Sequence, residues 1–239
     1  VVGGSALYLV AEEARHKLVR IAAHMLGCAE ADVVLEEREA FSRQDRGKTV
    51  AFSELAAAAY QEEKLPPGVT PGLDFSGSFT LGQPYQSPHS FSTHVVAVQV
   101  SRENGVIEIL DYTAIHDCGR ILNPMLVEGQ VHGGIAQGIG QALWEGMEYT
   151  EDGQPLTASL MDYAMPSAQG LPELRLDTYE TPSPMNPLGI KGVGELPTVA
   201  APAAVANAVM DALSGFGVQH IDTPLTPEKV WNVMQGRIG

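Results

Sequence analysis

Cysteine is scarce in this chain of 239 residues, with only Cys28 and Cys118, which lie far apart and have no CxxC partner. That argues against a disulfide framework or a structural zinc site and points to a reducing compartment. Basic residues are scarce too. Lys and Arg number 14 against 29 Asp and Glu, and the formal net charge of -15 disfavours nonspecific binding to nucleic acid phosphates or to an anionic membrane surface. The expected partners are proteins and small molecules. No apolar run approaches the length needed to span a bilayer, and Val1-Val2-Gly3-Gly4-Ser5 lacks the basic region and apolar block of a secretion signal. The expected location is the cytoplasm. There is no internal repeat, and no GxSxG elbow that would support serine hydrolysis. The apolar content of 44% with 18% charged residues is ordinary for a globular protein and allows one large core or two smaller ones. The chain begins with Val and enters a helical pattern almost at once, which reads as a fragment or a processed chain.

From Leu7 the residues Leu7, Val10, Ala14, Leu18, Ile21 and Met25 recur at helical spacing, which predicts an amphipathic helix closed by Gly27. Asp32 to Arg43 and Thr49 to Phe52 read as short strands around a polar turn at Gln44 to Gly47. Ser53 is the expected cap of a small alanine-rich helix reaching about Tyr60. The stretch from Leu65 to Pro88 is rich in Pro and Gly, a long connection of the kind that often wraps a site or a partner. Phe91 to Val100 and Val106 to Ile115 form a predicted hairpin through Asn104-Gly105, since both residues tolerate positive φ. A helix is expected from about Met125 to Trp144, a strand at Glu173 to Tyr179 and a long helix from about Thr198 to Leu213. Thr226-Pro227-Glu228 reads as a last helix start. The elements lack a regular βαβ rhythm, so the expected class is α+β. It is taken as one domain portion over 1–239, with subdomain boundaries near 65–90 and 181–197.

Two features carry candidate chemistry. Gly129, Gly133, Gly134, Gly138 and Gly140 lie in one predicted helix, where each costs about 1 kcal/mol relative to Ala. Val131, Ile135, Ile139 and Ala142 share one face, and Gln130, Gln137 and Gln141 a neighbouring one, with Gly134 and Gly138 beside them. Such a bare strip edged with carboxamides lets a flat heterocycle approach the backbone and pair with amide donors and acceptors. Alternatively, the glycines admit another element and the glutamines face solvent. The second feature is Gly189-Ile190-Lys191-Gly192-Val193-Gly194-Glu195-Leu196-Pro197, a glycine-dense loop feeding a helix. It matches neither a Walker loop nor a dinucleotide fingerprint. It either delivers backbone NH groups and one carboxylate to a site, or Glu195 merely complements the helix terminus. His116-Asp117-Cys118, at the end of a strand, and the separate histidines His89, His94 and His132 read as structural. No metal-ligand set is expected.

Four segments together resemble the molybdenum hydroxylase large subunit, the family of xanthine dehydrogenase, aldehyde oxidoreductase and molybdenum carbon monoxide dehydrogenase. They are Val1 to Ala6, Asp117-Cys118-Gly119-Arg120-Ile121-Leu122-Asn123-Pro124, Glu128 through Gly140, and Gly192-Val193-Gly194-Glu195. Their order and separation fit over nearly the whole chain. The fold implied is the C-terminal part of the molybdopterin-binding domain, with mixed sheets and packed helices. The site implied has Glu195 as catalytic base and cofactor contacts at Gln137, Gly138, Gly192, Val193 and Gly194, with Gly4, Ser5 and Ala6 ending another cofactor-binding stretch.

The activity implied is oxidation of an aldehyde, N-heterocycle or similar small substrate with water as the oxygen source. The alternative is a noncatalytic cofactor-binding or assembly module. The chain is similar to the carbon monoxide and bacterial aldehyde members, which implies the molybdopterin cytosine dinucleotide form of the cofactor. It also implies iron-sulfur clusters and FAD on partner chains, namely an iron-sulfur subunit and a flavoprotein subunit. In the family the large subunit is several times longer. The remainder of that subunit, or a companion molybdopterin-binding chain, is therefore expected to complete the active site.

Overall fold

The computed structural model describes residues 1–82 and 88–237. The chain forms two compact units, the first Val1–Gln86 with Asn186–Leu188 and the second Ser87–Met185 with Gly189–Gly239. Both combine helices with a small sheet, so the class is α+β.

In the first unit, helix α1 (Val2–Leu26) stops at Gly27, whose φ of 61° and NH bond to Ala23 form a left-handed cap. A three-stranded antiparallel sheet follows, made of β1 (Val33–Glu36), β2 (Glu39–Ser42) and β3 (Thr49–Ala51), and then α2 (Phe52–Ala58). The stretch predicted as strand from Asp32 to Arg43 turns back on itself at Glu37, whose φ is 52°. Ser53 is not the cap of α2. The helix begins two residues earlier than that cap implies, at Phe52, with Ala51 at the cap position and no side-chain capping bond. Ile21, Ala22, Ala23, Val33, Ala40, Val50, Leu55 and Ala58 form the core. That core lies against the C-terminal half of α1, which is why Leu7, on the predicted apolar stripe, is 71% exposed. The Pro- and Gly-rich connection carries no helix or strand from 65 to 82, and its residues 83–87 lie outside the described ones.

In the second unit, β4 (Phe91–Val100) and β5 (Ile107–Asp117) pair antiparallel, with Gly105 at φ 71° in the turn between them. The Asn104 side chain accepts from the NH of Val106, which fixes this turn locally. Helix α3 (Pro124–Leu143) begins with Asn123 accepting from the NH of Leu126 and with Pro at its first position. After α3 the chain enters β6 (Leu174–Thr178), which pairs parallel to β5. Helices α4 (Leu196–Ala212) and α5 (Pro227–Met234) complete the unit, α5 capped by the Thr226 side chain. Burial alternates at the end of β5, with Tyr112, Ala114 and His116 facing inward. The core joins Tyr112 and Ala114 to Val131, Ile135 and Ile139 of α3 and to Ala201, Val205 and Val209 of α4.

Candidate functional site

Helix α3 divides its two faces as its sequence dictates. Val131, Gly134, Ile135, Gly138, Ile139 and Ala142 are buried, while Gln130, Gln137 and Gln141 are exposed. The glycines serve two purposes. Gly129 and Gly133 have nothing within 4 Å of where a β-carbon would stand, so the helix surface beside the glutamines is bare. At Gly134 a β-carbon would collide with Pro197, and at Gly138 with Ala201 and Pro202. Gly138 therefore lets α4 come within backbone distance of α3, and its α-carbon turns toward that helix and away from the open glutamine edge. The packing alternative raised by the sequence holds for Gly134 and Gly138, and the bare strip is supplied by Gly129 and Gly133 instead.

This close crossing locates the second candidate segment. Gly192 is exposed with open space at its β-carbon position, Val193 packs on the core, and the β-carbon position of Gly194 lies 3.7 Å from Oε1 of Gln130. The loop from 192 to 195 thus borders the amide edge of α3. Gln130 is the carboxamide beside it, whereas Gln137 lies two turns, or about 10 Å, further along the helix. Spacing alone could not separate the three glutamines, because the choice depends on where α4 crosses. Glu195 is exposed at the N-cap position of α4, and its side chain makes no capping hydrogen bond. The loop before it is fastened to the end of β5, where Arg120 NH donates to Gly189 O at 2.9 Å and Lys191 NH to Cys118 O at 2.8 Å.

Gly4, Ser5 and Ala6 lie in the first unit, on the opening turns of α1. Ser5 is fully buried, and its hydroxyl has no hydrogen-bond partner. His132 points its Nδ1 at the carbonyl of Glu128, 2.9 Å away on its own helix. His116 and Cys118 are buried, and burial pushes the Cys118 thiol up, the opposite of what a reactive thiolate needs. Among the described residues, no three His, Cys, Asp or Glu side chains cluster as a metal site. No described helix is long and apolar enough to cross a membrane.

Residues 1–172 match the molybdopterin cofactor-binding domain family. The chain is 38% identical over 239 residues to the nicotine 6-hydroxylase large subunit of Paenarthrobacter nicotinovorans, covering 100% of this chain and 29% of that protein. It is 34% identical over 234 residues to the carbon monoxide dehydrogenase large chain of Hydrogenophaga pseudoflava, covering 98% of this chain and 28% of that one. Among solved structures, quinoline 2-oxidoreductase from Pseudomonas putida 86 superposes with a TM-score of 0.83 at 37% identity, over 95% of this chain and 29% of that one. The chain spans less than a third of the length of these relatives.

Proposed function

The chain belongs to the molybdopterin cofactor-binding domain family, and from that premise we propose that it forms part of a molybdenum-dependent hydroxylase in which Glu195 is the general base. The residues present fit a pterin-held metal. Exposed carboxamides at Gln130, Gln137 and Gln141 can donate to and accept from a heterocycle edge, and the bare backbone at Gly192 and Gly194 admits close approach. The donor set suits gripping a pterin by hydrogen bonds and not ligating a metal directly. Gln137 is the proposed pterin contact, the loop Gly192 to Gly194 the site wall, and Gly138 the residue that lets α4 hold that wall close. Gly4, Ser5 and Ala6 are a separate proposed cofactor contact, supported by the buried Ser5 hydroxyl that lacks a partner. The cofactor form proposed is the cytosine dinucleotide.

When bound, the molybdenum-pterin group supplies the two-electron oxidation. Glu195 takes up the proton released as a water-derived oxygen becomes nucleophilic. The observation that carries this assignment is an exposed carboxylate, free of any capping bond, where an open glycine loop enters α4. The proposed substrate is a small aldehyde or N-heterocycle. Two relatives are named for nicotine and quinoline, both N-heterocycles. The rest of the large subunit or a companion chain would complete the pocket, and partner subunits would hold the iron-sulfur clusters and flavin that supply electron transfer, since the two cysteines of this chain are too few for a cluster.

The test is Glu195→Gln in the complete enzyme, with molybdenum content and steady-state rate taken on one preparation. Gln keeps size and hydrogen bonding but cannot accept the proton, so kcat should fall by about 10²–10⁴-fold at full metal. Near-native turnover at full metal would remove Glu195 from the chemistry and favour a noncatalytic cofactor-binding module, in which the same change costs only about 0.3–1 kcal/mol of stability.

A further inference from the structure

The Glu195 loop is fastened to β5 by more than backbone bonds. Asp117, the last residue of β5, has a side chain 12% exposed, and that of Lys191 is 9% exposed. The Asp117 carboxylate accepts from the Lys191 ammonium at 2.7 Å, from the NH groups of Gly119 at 2.9 Å and Thr181 at 3.2 Å, and from the Thr181 hydroxyl. Lys191 donates a second bond to the Thr181 hydroxyl oxygen at 2.6 Å. Three chain segments therefore meet at one carboxylate. Burial alone would raise this carboxyl, but the ammonium and the converging hydrogen bonds hold it down at about 2. The carboxylate is charged and fully engaged at any working pH, so it is unsuited to proton transfer and suited to holding structure.

The segment so held leads directly to Glu195. Gly119, at φ 70°, lies so close to the carbonyl of Gly189 that a β-carbon there would collide with it. Lys191 also lies over the Phe91 ring, 5.3 Å from its centre. Beyond Lys191 come Gly192, with open space around it, then Val193 and Gly194. Val193 packs on the core, and past Glu195 the chain is anchored at Pro197, which packs on Gly134 of α3. Without the Lys191 side-chain anchor, the N-terminal side of Glu195 would be held only by the Lys191 NH bond to Cys118 O and by Val193 on the core, with a glycine on each side of Val193, and glycine restrains its backbone least. We infer that Asp117, acting through Lys191 and Thr181, is a positioning residue for Glu195. This rests on the proposed role of Glu195 as base. Misplacing a catalytic group by about 1 Å costs on the order of 10²-fold in rate.

The experiment uses the complete molybdenum enzyme with Asp117→Asn, Thr181→Val and Thr181→Ser, alongside Glu195→Gln. Turnover, KM, molybdenum content and amide hydrogen exchange over residues 189–195 are measured on each. Asp117→Asn and Thr181→Val should lower kcat by about 10–100-fold, with KM and molybdenum content unchanged and faster exchange in 189–195. Thr181→Ser keeps the bridging hydroxyl and should stay within about threefold of the parent. Thr181→Val is nearly isosteric, so it decides the matter if Asp117→Asn does not fold. Native kcat and native exchange in Thr181→Val would overturn the inference, and beside an inactive Glu195→Gln that result leaves the base intact. Loss of molybdenum in Thr181→Val would also overturn it, making the cluster a determinant of cofactor retention. Faster exchange in Thr181→Val beside a fully active Glu195→Gln would overturn the base assignment and the catalytic role of Asp117 with it, leaving only a loop clamp.

Discussion

The Nε2 atoms of His94 on β4 and His116 on β5 face each other at 3.2 Å, and Nδ1 of His94 lies 2.8 Å from the hydroxyl of Tyr112. Two ring nitrogens at that distance share one proton, so one donates and the other accepts. The arrangement with fewer unpaired groups runs from the Tyr112 hydroxyl through His94 to His116, and leaves only the buried Nδ1 of His116 without a partner.

Burial and the neighbouring His116 lower His94 to about 4, and burial lowers His116 as well. A histidine whose folded value lies below its unfolded value of about 6.5 binds its proton more readily when unfolded. The stability it contributes is complete above about pH 6.5 and is lost as pH falls through the folded value near 4. Urea denaturation midpoints should therefore drop between pH 6.5 and 4. His94→Gln retains a donor and an acceptor but does not titrate, so its profile should be flatter. Identical slopes for variant and parent would show that the pair does not govern acid sensitivity.

The glycines of α3 should answer oppositely to alanine. Gly133 has open space around it, so Gly133→Ala should stabilise by up to about 1 kcal/mol through helix propensity. Gly138→Ala must push Ala201 and Pro202 of α4 away, which should cost about 1–3 kcal/mol. Thermal unfolding of both variants checks this, and a Gly138→Ala protein as stable as the parent would contradict the observed crossing.

The glutamines offer a test of cofactor register in the complete enzyme. Gln137→Ala should release the pterin more readily than Gln141→Ala, because a ring donor or acceptor left without its partner costs about 1–3 kcal/mol. Cofactor content after equal dialysis is the measurement. Equal retention in the two variants would remove Gln137 from the contact set.

Gly119 should tolerate no side chain. Its φ is 70° and the Gly189 carbonyl occupies the β-carbon position, so Gly119→Ala combines backbone strain of about 1–3 kcal/mol with displacement of the Glu195 loop. Turnover and stability should fall together. A variant losing neither would mean that the 117–120 turn adapts freely and does not hold the loop.

What the sequence determined by itself was everything encoded by neighbours. Gly27 ends α1, Asn104-Gly105 turns the β4–β5 hairpin and Thr226-Pro227 starts α5, because each of these signals acts within a few residues. The span of α3, with its buried aliphatic face and exposed glutamines, was legible from helical period alone, and so was the presence of a carboxylate after a glycine loop. Ser53 misled because its capping potential is a local preference, whereas β3 pairing carries the chain into α2 through Ala51 without it. Tertiary structure alone decided which way each α3 glycine faces, since Gly133 and Gly134 differ only in what packs against them. It also decided that Gln130 borders the loop, that β6 joins β5 in parallel, and that Asp117 meets a lysine 74 positions away. Such pairings repay chain entropy only once the whole unit has closed, and no local pattern of residue types records them.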